Sequence, residues 1–298
     1  MIHSSRPFLI EPLEARIAPA AVFVNPNTAT FTDVDGDLVT VKFSKPLLSA
    51  QNIGTILKTA PTGAMGGEQL NEINLQSFLS STEATGTDIT VTARPQDANG
   101  DRLPDGDGLV NVGQINAGGV FVAPGIDLGA VTIRGDLGKI VAGNNNQQGG
   151  GLKSLTAISL GRFGLTTGAP DLSSAVVGVV QKLTLASDFS ATTFYAQAIG
   201  SVNVGGSLIS GEISSAGNVG SIKIKGDLAG SITANNDGTR IGSIQVGGSF
   251  TAGTIWGDDI GKISITGDVR GTVANSAKIL AIGNVGSIFI GGNLAGQQ

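Results

Sequence analysis

The chain has 298 residues, with 18 Lys+Arg against 23 Asp+Glu and a net charge of −5, which argues against a nucleic-acid partner held by a basic patch. It has no cysteine and a single histidine, His3, so thiol chemistry and zinc–thiolate sites are excluded and a Ser-His-Asp or Cys-His centre is unsupported. No run approaches the roughly 18 apolar residues of a membrane helix, so no membrane span is expected.

Residues 1–24 stand apart. Pro7-Phe8-Leu9-Ile10 is a very short apolar run, and Glu11, Glu14 and Arg16 interrupt the stretch that follows it. A secretory signal needs about 7–15 uninterrupted apolar residues. Pro7, Pro12 and Pro19 disfavour a long helix. A disordered or sorting segment is the expectation for this stretch.

Residues 25–127 read as a small β-rich domain. Thr28–Thr32 and Leu38–Phe43 alternate and are rich in β-branched residues, and Asp33-Val34-Asp35-Gly36-Asp37 between them supplies a hairpin turn. Ser49–Lys58 predicts one short helix, with Ser49 as N-cap and Ile53, Ile56 and Leu57 on one face. Strands are expected at Leu70–Leu75, Asp88–Ala93 and Leu109–Val112, with a loop over Asp97–Gly108.

Residues 128–298 repeat. The unit is apolar at its first, fourth, sixth and tenth positions, with glycine second and eighth. Copies start at Leu128, Leu152, Val180, Ile199, Val219, Ile241, Ile260 and Val285, spaced by 24, 28, 19, 20, 22, 19 and 25 residues. The copy at Leu152 is the loosest, because Gly161 stands at its tenth position. Short alternating strands at this period predict an all-β parallel β-helix, a β-solenoid of about eight rungs about 4.8 Å apart, preceded by the small β-rich cap. Variable loop lengths and rungs longer than the roughly 18 residues of hexapeptide coils point to a right-handed winding. Ile222 and Ile224 should face inward and Lys223 and Lys225 outward. The eighth-position glycines (Gly135, Gly206, Gly226, Gly248, Gly267 and Gly292) are expected to supply a positive φ at a corner. Such a coil has a filled aliphatic core rather than a pocket. Any binding surface would sit on the insertions at 143–151, 162–179, 235–240 and 275–282.

Candidate chemistry is sparse. Asp97, Asn99, Asp101, Asp105 and Asp107 have the alternate oxygen spacing of a calcium loop. Arg102 stands where an EF-type loop has glycine, and Gly108 where it has the bidentate Glu, so a solvated acidic turn competes. Asp33, Asp35 and Asp37 form a shorter version that a hairpin turn also explains. Arg134-Gly135-Asp136 spells an adhesion tripeptide but falls on the repeat's own corner. Glu212, Asp258 and Asp259 are the few rung acids off that corner, with no evident partner column. Trp256 and Tyr195 are the only Trp and Tyr, so no aromatic sugar platform is visible.

The stretch Ile10-Glu11-Pro12-Leu13-Glu14-Ala15-Arg16-Ile17-Ala18-Pro19-Ala20 resembles the N-terminal LEPR-XLL-type segment of large exported proteins of planctomycete and verrucomicrobial bacteria. The segment at Phe31–Lys45, the stretches Leu152–Leu155 and Ser159–Gly164, and the Ile-Gly-Ser-Val and Gly-Gly-Ser-Leu repeats from Ile199 are similar to members of that group. The resemblance implies export, with display at the cell surface or outside the cell. It carries over no catalytic residue. The resulting expectation is a non-enzymatic, extracytoplasmic structural or adhesive β-solenoid with polysaccharide or cell-surface partners. The last copy stops part-way through a rung, so edge-to-edge self-association, or truncation from a longer relative, is expected there. The alternatives are a calcium-stabilised polysaccharide-binding module and, less supported, a polysaccharide lyase-like enzyme.

Overall fold

The computed structural model describes residues 21–62, 67–97, 102–118, 125–144, 150–234, 236–271 and 276–296. It is 59% strand and 4% helix and forms a β-solenoid of about 7 turns. The repeat dictates the register. Leu128, Leu152, Val180, Ile199, Val219, Ile241, Ile260 and Val285 are successive partners in one parallel ladder. The start of every copy therefore stacks on the start of the copy before it. The fourth positions form a second column, Val131, Leu155, Leu183, Val202, Ile222, Ile244, Ile263 and Ile288. Ile222 and Ile224 are buried, while Lys223 and Lys225 are exposed.

A second face stacks the tenth positions. Its column runs Leu137, Leu160, Phe189, Leu208, Leu228, Phe250, Val269 and Leu294. In the loose copy Leu160 fills the place expected at Gly161. The backbone reaches the corner one residue early there, and Gly161 instead takes φ +74 to open the following excursion. A third face carries Phe194, Ile213, Ile232, Ile255 and Ile279 in register. Between these faces the interior is packed with fully buried side chains, among them Phe189, Phe194 and Phe250.

The corner glycines work differently from the expectation. None of Gly135, Gly206, Gly226, Gly248, Gly267 and Gly292 has a positive φ. Each is needed because the turn below presses on it: a Cβ on Gly206 would lie 2.1 Å from Asp188 Oδ1, and one on Gly248 2.1 Å from Asp227 Oδ1. At Gly135 the pressing group is the Val110 carbonyl; at the other five it is a ninth-position residue, and these residues hydrogen-bond up the stack. Ser207 N donates to Asp188 Oδ1 (2.8 Å), Asp227 N to Ser207 Oγ (3.0 Å) and Ser249 N to Asp227 Oδ1 (2.7 Å). Asp268 N then donates to Ser249 Oγ (3.1 Å) and Asn293 N to Asp268 Oδ1 (2.7 Å). Aspartate alternates with serine, so like charges are two turns, about 10 Å, apart and largely screened.

The described residues before Leu128 join the same stack. Val22–Asn25, Thr28–Thr32 and Leu38–Phe43 form an antiparallel meander, with the expected hairpin in its second half. Thr87–Arg94 pairs antiparallel with Leu38–Phe43 on one side and parallel with Leu128–Ile133 on the other. Glu68–Asn74 likewise pairs with Val112–Asn116, which stacks on Asp136–Ala142. One continuous hydrophobic core links Ala29 and Phe43 to Val269. The predicted helix is a single turn, Ile53–Ile56; Ser49 and Asn52 hydrogen-bond each other before it, and no side chain caps it. Leu57 and Lys58 leave it for a strand, Leu57–Pro61, because pairing with Glu68–Asn74 buries Leu57. The strand expected at Leu109–Val112 begins at Val112 and runs to Asn116.

Candidate functional site

Asp33, Asp35, Asp37, Glu68 and Asp107 come together before the first repeat of the coil. The hairpin turn closes because Gly36 adopts φ 103, which a side chain would oppose. Asp33 N donates to Asp37 O (3.0 Å), and Asp37 N donates to Asp33 Oδ1 (2.9 Å). This winding brings one carboxylate oxygen each from Asp33, Asp35 and Asp37 within 4.8 Å of one another.

Two other segments close on the turn. Asp107 N donates to Asp35 Oδ2 (3.2 Å) and Gly108 N to Asp37 Oδ2 (2.6 Å), so residues 107–108 are tied to the hairpin. On the opposite side Gly67 lies against the Asp33 carbonyl, where a Cβ would sit 1.7 Å from its oxygen. That close approach draws Glu68 into the wall. The resulting cleft of about 100 Å³ is lined by Asp33, Asp35, Glu68, Asp107, Asn111 and Phe163, among others. Such a volume holds an ion and several waters.

The electrostatics follow from burial. Asp33 is 5% exposed and Asp37 0%. Burial, with the Asp35 carboxyl hydrogen-bonded beside it, pushes Asp33 up to about 8. Burial also raises Asp37, against the Gly108 amide that favours its charged form. Asp37 Oδ1 is buried with no hydrogen-bond partner.

Among the described acids of the 97–107 stretch, Asp107 is the one the hairpin group engages, through its backbone amide. Asp97 Oδ2 accepts from Arg102 N (2.8 Å) within its own loop. The backbone of Asp105 pairs with that of Gln96. Asn99 and Asp101 lie outside the described residues. Glu68 is not singled out by the sequence; it is remote from the hairpin along the chain, and the packing of Gly67 on Asp33 brings it there.

The remaining motifs are structural. Asp136 of the Arg134-Gly135-Asp136 tripeptide is 1% exposed. Its carboxylate accepts from Ser159 Oγ (2.7 Å), Arg162 N (3.1 Å) and Phe163 N (3.1 Å), yet burial outweighs these donors and raises its pKa. Glu212 Oε1 accepts from Thr233 Oγ1 (3.1 Å). Asp258 Oδ2 accepts from Gly238 N (2.6 Å) and Asp259 Oδ1 from Asn284 N (2.7 Å), so both brace loops between turns. Glu212 also borders an open groove of about 380 Å³ with Thr192, Thr193, Ser210 and Ser231.

These features define a β-solenoid repeat protein with a packed interior and an acidic cleft at one end. Comparison with known proteins gives no matching family, no similar curated protein and no similar solved structure. Among the described residues no helix is long and apolar enough to cross a membrane.

Proposed function

We propose that the chain is a non-enzymatic scaffold, exported and displayed at the cell surface, with a structural or adhesive role. The observation that carries this reading is the interior: the faces of the coil turn aliphatic and aromatic side chains inward and fill it. The likeness of residues 10–20 to a LEPR-XLL-type segment supports the export part. Self-association through strand edges belongs to the same reading. The second reading, a polysaccharide-binding module, is favoured by the open groove beside Glu212, whose lining is hydroxyl-rich.

A panel of polysaccharides offered to the purified chain separates the readings when scored for binding and for newly released reducing or unsaturated ends. The scaffold reading predicts that no ends are released. Binding without release selects the module, and release of ends contradicts both.

A further inference from the structure

We infer that Asp33, Asp35, Asp37 and Asp107 hold a calcium ion, with Glu68 in the wall of the cleft. This inference is independent of the scaffold reading. Three observations converge on it.

The first is the ligand chemistry. The hairpin offers hard carboxyl oxygens from three residues, all within 4.8 Å of one another, and Asp107 lines the cleft beside them. Two oxygens on opposite sides of a Ca²⁺ ion sit at most about 5 Å apart, since each bond is 2.3–2.6 Å. The second is Asp37. It is fully buried, its carboxyl packs against Gly106, and its Oδ1 meets no donor. A buried carboxylate oxygen without a partner is costly, and in native proteins it calls for an ion or a water. The third is the cleft itself, which has room for an ion with part of its hydration shell between Asp33, Asp35, Glu68 and Asp107. Calcium fits better than magnesium because the ligands come from an irregular turn and a loop. Ca²⁺ accepts six to eight oxygens in flexible geometry, whereas Mg²⁺ demands a near-ideal octahedron.

The consequence is mechanical. The ion would clamp the hairpin turn to residues 107–108, whose backbone amides already donate to the Asp35 and Asp37 carboxylates. Those segments flank Thr87–Arg94, the strand on which the first turn of the coil stacks. The ion would therefore fasten the cap to the stack.

The experiment is calorimetric titration of the chelator-treated full chain with CaCl₂, and separately with MgCl₂, alongside thermal melts with and without Ca²⁺. The expected result is one Ca²⁺ per chain, a higher melting midpoint with Ca²⁺, and Mg²⁺ binding at least tenfold weaker. Asp35→Asn, at an exposed position, should fold normally and weaken Ca²⁺ binding at least tenfold, as should Asp37→Asn if it folds. Asp97→Asn should bind as the parent does. Absence of binding heat overturns the inference. So does binding that survives Asp35→Asn, or that is lost in Asp97→Asn alone, since either places the ion elsewhere.

Discussion

Replacing Phe250 by alanine is expected to lower the unfolding free energy by about 3–5 kcal/mol, read as a fall in the urea midpoint. Phe250 is fully buried and sits in register between Leu228 and Val269. In a stacked coil each turn contacts only its neighbours, so the cavity loosens the interfaces above and below it. Phe289 is the matched control. It is 58% exposed and lies on an outward position, and its replacement by alanine should change stability by less than about 0.5 kcal/mol. Equal effects at the two sites would mean that the inward and outward assignments are wrong.

Gly242→Ala is the second large effect. A Cβ there would lie 2.2 Å from the Gly220 carbonyl oxygen, and a Cβ on Gly220 would lie 2.2 Å from that of Gly200. Second-position glycines thus form a column in which each backbone rests directly on the one below. The obstructing atom is backbone, so relief requires adjacent turns to separate and stretch their ladder hydrogen bonds. The expected cost is about 3 kcal/mol, the upper part of the range for overpacking. Gly54→Ala provides the contrast. Nothing lies within 4 Å of its Cβ position and it sits in the helical turn, so alanine should be neutral or stabilise by up to about 1 kcal/mol. Thermal or chemical melts of the two variants read the difference.

The coil was legible because its causes are local and repeated. An apolar residue at the same position of every copy can be buried in only one register, and all eight predicted starts fall into a single ladder. The tenth-position column was equally visible apart from Leu160, where one residue fewer in the corner shifts the inward side chain by one place. Glycine at the eighth position was visible too, but its reason was not. Sequence alone suggests a backbone needing freedom, whereas the constraint is the Asp or Ser of the neighbouring turn pressing against it. The short helix was over-read, since Leu57 gains more from pairing in a strand than from extending one helical turn.

The acidic cleft was half legible. Asp33, Asp35 and Asp37 share a turn, so their proximity follows from the spacing. Asp107 and Glu68 reach them only through contacts between segments far apart in the chain, which one sequence does not reveal. The neighbouring Asp97–Asp107 pattern looked richer as a linear ligand series. In three dimensions Asp97 serves its own loop and Asp107 turns to the hairpin.

The stacking itself is tested most directly by electron–electron distances between spin labels. The chain has no cysteine, so pairs can be introduced cleanly at the outward fifth positions Thr132, Asn203 and Phe289, all exposed. Thr132 and Asn203 are three steps apart in the ladder, and Asn203 and Phe289 four. At about 4.8 Å per step the backbone separations should be about 14 Å and 19 Å, and about 34 Å for Thr132 with Phe289. Distances that add in this way, in proportion to the number of turns, are the predicted result. A Thr132–Phe289 distance shorter than that for Asn203–Phe289, as a chain folded back into two facing sheets would give, would contradict the coil and the scaffold reading built on it.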